Sequence, residues 1–326
     1  MKRIWKDILL AALMGLFLPG VILNVADMLL ENREVLEISE ATTQTQPTGV
    51  TQGQTLTMLL RMPDGTTREM DMDTYLTGVI LAEMPASFAQ EAKKAQAVVA
   101  RTFALKAAVT GGKHGDGSVC TESVCCQAYI SPEAYSGSAE AVVQAGEAAK
   151  ETSGMVLVYG EGLIEATYFS CSGGSTEDAV AVWGRDFPYL RATDSPGEED
   201  AVHYTDTVRF TGKEFQKALG VSLSGSPESW FGFTSYTAGG GVNSIRIGGR
   251  DYKGTELRKL LGLKSTAFTV SADEEGVSIT TRGYGHRVGM SPYGADAMAE
   301  GGSSFDQILA YYYRGTSLVL WDGSEN

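Results

Sequence analysis

GVILAEMPASFAQEAKKAQAVVARTFALKAAVTGG, residues 78–112, sets the character of the chain. Apolar residues at 88, 92, 95, 99 and 103 recur at helical spacing and predict one long helix with a buried face. Ser87 and Gln90 make a capping-box pattern at its start, and Gly111 and Gly112 supply the stop. Arg101 and Gln96 fall off the buried face, so both are expected to point elsewhere. Just upstream, Asp73 is expected to cap a shorter helix, TYLTGVILAE, that delivers Glu83 at its end. Glu83 follows three aliphatic residues and an alanine, and Met84 and Pro85 close the segment. An ionised carboxylate is costly to desolvate. Such an acid is either tilted out to solvent or held there for chemistry.

Working outward, LTMLLRMPDGTTREMDM (56–72) reads as a hairpin around a PDG turn, and MVLVYGEGLIEATYFS (155–170) as a second one. Residues 211–219 read as a capped helix. From 230 onward, strand-like runs alternate with helices near 255–261, 290–300 and 304–313. The elements neither alternate strictly nor segregate, which predicts an α+β fold of mixed helices and mostly antiparallel strands. The expected arrangement is a two-lobed ectodomain with a central cleft, preceded by one transmembrane helix.

That helix is read from the N-terminus. Lys2, Arg3 and Lys6 precede an apolar run over residues 8–25. Eighteen residues at ~1.5 Å rise span about 27 Å, close to a hydrocarbon core. No small-x-small cleavage site follows, so an uncleaved anchor is expected, with the N-terminus cytoplasmic and the rest extracytoplasmic. Three regions result: residues 1–28 as cytoplasmic tip and anchor, 29–55 as a flexible tether, and 56–322 as the main folded domain. Forty acidic against 26 basic residues give a net charge of −14. This excludes an electrostatic footprint for nucleic acid or anionic lipid. The partner should be neutral, or held by a local basic cluster.

Three of the four cysteines fall in HGDGSVCTESVCCQAYI, residues 114–130. Two readings stay open: a disulfide, normal outside a membrane, or a small Zn²⁺ loop with a histidine and thiolates. Neighbouring Cys125 and Cys126 would point apart if extended. Ser170 and Ser172 lack a G-x-S-x-G elbow, so SGG reads as a tight turn lining a cleft. His286 sits among glycines in GYGHRVGMSPYGA (283–295), either as a satisfied histidine beneath a turn or as a functional one. Tyr189 and Arg191 would share a face in an extended segment.

GVILAEMPASF, VVARTFAL, CTESVCCQAY, YFSCSGGSTED, VWGRDFPYLRATDSP and GYGHRVGMSPYGA, in this order, resemble the stage II sporulation protein D family. Its members are membrane-anchored peptidoglycan lytic transglycosylases of endospore formers. The resemblance covers roughly residues 56–322. It implies Glu83 as the catalytic acid, with Arg101, Tyr189 and Arg191 needed for activity; Arg191 stands where lysine is common. It further implies structural Zn²⁺ on His114, Cys120 and Cys126, with Cys125 or a water as fourth ligand. Ser172 and His286 are expected to bind substrate. Pro292 stands where the family usually has glutamine. The implied substrate is peptidoglycan glycan, denuded of stem peptides, at the forespore septum. The implied partners are a stage II sporulation protein P-type amidase and a stage II sporulation protein M-type membrane protein. Two competing readings are a zinc hydrolase of wall peptides, which needs an open metal position, and a non-catalytic wall-binding activator of an amidase.

Overall fold

The computed structural model describes residues 56–323. The expected anchor and tether lie outside them, and among the described residues no helix is long and apolar enough to cross a membrane. The first hairpin forms as expected, Thr57–Arg61 against Thr67–Asp71, antiparallel from Thr57↔Asp71 to Arg61↔Thr67. Helix Met72–Glu83 follows without a loop. Its cap is Asp71, not Asp73: the Asp71 side chain accepts from Thr74 N at 2.8 Å. Pro85 disfavours helical backbone at the residue before it. Met84 accordingly turns extended (φ −125°, ψ 137°), which fixes Glu83 as the last helical residue.

Helix Gln90–Thr110 is the centre of the fold, and Gly111 ends it at φ 83°. Its N-cap is Ala89 rather than Ser87. The cap uses no side chain; Ala89 N instead donates to Asp296 Oδ1 at 2.7 Å. The single buried face is also corrected: 13 of its 21 residues are buried, Arg101 and Gln96 among them. The reason is tertiary. Helices Met72–Glu83, Ala139–Glu151, Pro292–Glu300 and Phe305–Tyr312 pack around it, so no side of it faces only water. Ala139–Glu151 was not anticipated; it buries Ala141, Ala145, Ala148 and Ala149, spaced to fit closely against a neighbouring helix.

Among the described residues the strands make four three-stranded sheets and a two-stranded one. Their pairings are antiparallel except Leu60↔Val119 and Arg61↔Cys120. That short parallel pairing seats Cys120 beside the first hairpin. Buried apolar side chains gather in three clusters. One runs from Ile80 and Phe88 to Leu309 and Tyr313, and one centres on Leu60, Leu76 and Val79. The third is drawn from residues 215–279 alone. These described residues belong to one compact unit, and the expected two lobes do not part into separate units.

Candidate active site

A cavity of about 850 Å³ opens beside the end of helix Met72–Glu83. Glu83 lines it with Ala82, and Phe103 of the long helix lies nearby on the wall. Three further walls are sequence-distant: residues 123–128, residues 165–170, and Tyr284 to His286. Their approach depends on glycine. A Cβ on Gly78 would lie 2.3 Å from the Tyr129 ring and 2.6 Å from Ile130 O. With hydrogen there instead, Ile130 N donates to Gly78 O at 3.2 Å, and the segment of residues 127–130 crosses the helix. A Cβ on Gly283, at φ +74°, would meet Ser172 O at 2.5 Å. That contact lets Cys171 and Tyr284 exchange backbone hydrogen bonds of 3.2 and 2.8 Å, joining the two remaining walls.

Glu83 is half-buried, and its Oε1 accepts from Ala128 N at 2.8 Å and from the Tyr168 hydroxyl at 3.2 Å. Burial pushes its carboxyl above the usual range, and these two donors pull part of the way back. Both bonds fall on Oε1. A proton on Oε2 is thus compatible with the observed contacts, the state a general acid needs. Tyr168, missed in the sequence, is itself braced: Gln127 lies against it, and Gln127 Oε1 accepts from Tyr75 at 2.6 Å. Glu165 is a second carboxylate on the wall, but Lys106 holds it at 3.2 Å.

The other expected residues divide. His286 lines the cavity against Trp183 and Phe169. Its Nδ1 accepts from Val288 N at 3.1 Å. Burial, then the charges of Arg258 and Lys113, push its pKa down to about 4, so it is neutral at physiological pH. Ser172 is not on the wall. It is fully buried, with Oγ donating to Glu198 at 2.8 Å, and it is Ser170 that lines the cavity. Tyr189 is buried behind the wall: its ring packs on Phe187, and its hydroxyl accepts from Glu165 N at 3.0 Å. Arg191 pairs with exposed Asp186 at 2.7 Å. A turn at residues 188–189 breaks the extended run that would have put the two on one face. Arg101 also stays off the wall. Its Nη2 donates to Asp73 Oδ1 (3.1 Å) and Ala149 O (2.9 Å), its Nη1 to Thr152 and Met155 O (both 3.3 Å). It ties the start of helix Met72–Glu83 and the end of helix Ala139–Glu151 to the middle of helix Gln90–Thr110.

Next to the cavity, the ligand atoms of His114, Cys120, Cys125 and Cys126 lie within 4.8 Å of one another. Cys125 and Cys126 Sγ stand 3.8 and 3.5 Å from His114 Nε2, and 3.9 Å from each other. A tetrahedral Zn²⁺ site with these donors has edges of about 3.6–3.8 Å, so the set fits that ion. Cys125 joins because the backbone turns: Cys125 N and Cys126 N both donate to Glu122 O, and the two side chains converge instead of diverging. All four cysteines are free thiols.

Residues 64–159 match the family model described as stage II sporulation protein. The chain is 38% identical over 274 residues to stage II sporulation protein D of Bacillus subtilis (strain 168), covering 82% of this chain and 79% of the relative. It is 36% identical over 265 residues to the protein of the same name from Bacillus amyloliquefaciens, with 79% and 77% covered. A more distant relative is the amidase enhancer of Bacillus subtilis (strain 168), 31% identical over 299 residues; 76% of this chain and 40% of the relative are covered.

Proposed function

The chain belongs to the stage II sporulation protein D family, a family with a role in sporulation, and from that premise we propose that it is a peptidoglycan lytic transglycosylase with Glu83 as its one acid–base group. The observation that carries the reading is Glu83 itself. It is an acid on a large cleft, favoured in the protonated form by burial and held by two donors on a single oxygen. Protonated Glu83 gives its proton to the glycosidic oxygen as the muramyl C1–O bond breaks. The oxocarbenium-like C1 is captured by that sugar's own C6 hydroxyl, whose proton returns to the Glu83 carboxylate. One C–O bond breaks, one forms, no water is consumed, and the acid is regenerated. Hydrolysis would ordinarily recruit a second free carboxylate, and Glu165 is engaged by Lys106.

The remaining residues support rather than react. Tyr168 positions the Glu83 carboxyl, Trp183 and Tyr284 offer apolar faces to sugar rings, and His286 offers a neutral imidazole. Arg101 and Tyr189 act from beneath, through the helix ends and the residue 165 wall. Arg191, paired with Asp186, and Ser172, in the turn behind Ser170, stand further from the cleft. His114, Cys120, Cys125 and Cys126 would hold Zn²⁺, which with three thiolates is saturated and cross-links the loop instead of activating water. The reading extends to a membrane-anchored, extracytoplasmic enzyme at the forespore septum, acting on glycan denuded by a stage II sporulation protein P-type amidase and working with a stage II sporulation protein M-type membrane protein. The amidase-enhancer relative favours one second reading, a non-catalytic activator of an amidase. Digestion of denuded glycan separates them: mass spectrometry should find 1,6-anhydro-muramic ends. Reducing ends would indicate a hydrolase, and intact glycan would indicate the activator.

A further inference from the structure

The cleft carries more positive charge than its own acids neutralise. Lys113, Arg185 and Arg258 line it with Glu83 and Glu165. None of these three is in an ion pair among the described residues. Lys113 donates to the Cys125 carbonyl, and Arg185 rests over the Phe187 ring at 5.1 Å. Arg258 is half-buried, on helix Gly254–Leu260, and its charge is disfavoured there by burial. Arg258 and Lys113 also lie close enough to His286 to act on its ring. Of the two acids on the wall, Glu83 has its carboxyl pushed upward by burial and Glu165 is taken by Lys106. A partly buried, unpaired guanidinium is unfavourable until an anion reaches it.

We propose that Arg258, with Lys113 and Arg185, forms an anion subsite of the cleft that takes the free lactyl carboxylate of a muramyl residue. This rests on the glycan-cleaving reading above and adds to it a determinant of selectivity. The lactyl group carries a charge only after its stem peptide has been removed; with the peptide attached, the same carbon is a neutral amide. Guanidinium grips a carboxylate with two parallel hydrogen bonds and has no equivalent grip on an amide. The acidic surface and the basic cleft then act together, the first repelling anionic chains in general and the second admitting one anion at one place.

The test uses the full chain carrying Glu83→Gln, so that binding is read without turnover. Calorimetry compares three GlcNAc–MurNAc tetrasaccharides: with free lactyl carboxylates, with those groups as primary amides, and with stem tripeptides attached. The free acid should bind at least about tenfold more tightly than the amide, as expected for charge-assisted hydrogen bonds. Arg258→Gln should bring the two within about twofold, and Arg258→Lys should restore part of the preference. Should Arg258→Gln not fold, Lys113→Gln and Arg185→Gln, both at exposed positions, carry the same comparison. Equal binding of acid and amide, no binding of either, or a preference that survives these substitutions overturns the proposal. Tripeptide binding as tight as the free acid would assign the anion to the stem and overturn the lactyl assignment. A wild-type digest without anhydro ends, beside an intact preference, would instead count against the transglycosylase reading alone.

Discussion

Helix Gln90–Thr110 and the loop that follows it, residues 111–127, are ordered by opposite means. The helix is buried over most of its length and surrounded by four others. The loop has little to bury: Val124 is 93% exposed, and Lys113, Gly115, Asp116, Glu122 and Ser123 are exposed as well. What holds it is backbone hydrogen bonding at Gly111 and Glu122, the pairing of Val119 and Cys120 with the first hairpin, and the convergence of one imidazole and three thiols. The scaffold is therefore sensitive to side-chain volume and buried charge, the loop to its ligands. Glu83 lies at their junction. It comes from the packed helices but takes a donor from Ala128, just past the loop.

The largest effect should come from the junction. Glu83→Gln keeps the shape and removes the proton. Loss of glycan cleavage should exceed the ~10²–10⁴-fold typical of one acid–base group, because both half-steps use it. Its stability should move the other way. A carboxyl raised by burial binds its proton more tightly in the folded state, so its contribution is lost as pH rises from the unfolded value through the folded one. Above that window the glutamine protein should melt no lower than wild type. A substantially lower melting temperature at neutral pH would show that the carboxylate is structural.

Breaking the loop comes next. Cys120→Ser should abolish bound zinc by elemental analysis and lower both melting temperature and activity, and chelation of the wild type should do the same. Metal-free protein with full activity would leave the loop ordered by its backbone alone.

Arg101→Ala attacks the scaffold. The side chain is fully buried and closes on Asp73, so its removal should destabilise by about 3–5 kcal/mol. Activity should follow the folded fraction. An activity loss at a temperature where circular dichroism finds the variant folded would give Arg101 a role in the chemistry.

A subtler change sharpens the junction. Tyr168→Phe removes a donor that lowers the Glu83 pKa, so the alkaline limb of the pH–activity profile should move to higher pH. A limb that stays in place would separate Tyr168 from the acid. The smallest effect belongs to Arg191→Ala, which breaks an exposed pair with Asp186 and should change stability by less than about 1 kcal/mol. A large loss of activity from it would show that the guanidinium reaches substrate.

Much of this was legible in local pattern. The PDG hairpin, the Gly111 stop and the capped helix at residues 211–219 depend on neighbours a few residues away, and the structure contains each of them. Glu83 was conspicuous because an acid in an apolar run is costly wherever the chain folds. The two predicted caps that moved, to Asp71 and Ala89, moved by only two residues each, the margin within which helix ends are least sharply defined.

What the sequence could not decide was which side of each element would meet another. Periodicity placed Arg101 and Gln96 off the buried face, but a helix enclosed by four neighbours has no free face. Alternation put Tyr189 beside Arg191, yet a turn buries the first and leaves the second half-buried, paired with Asp186. Ser172 and Ser170 are two residues apart, and only the crossing of the loops at Gly283 settles which one lines the cleft. Tyr168 and Arg258 carry no local signal, because their partners lie about 85 and 28 residues away, at Glu83 and His286. Sequence by itself determined the residue types and the short-range turns and helix stops, since those depend on backbone sterics and nearby donors. Tertiary structure decided the cleft, since its charge, its apolar walls and the state of its acid arise from segments that meet only when the chain is folded.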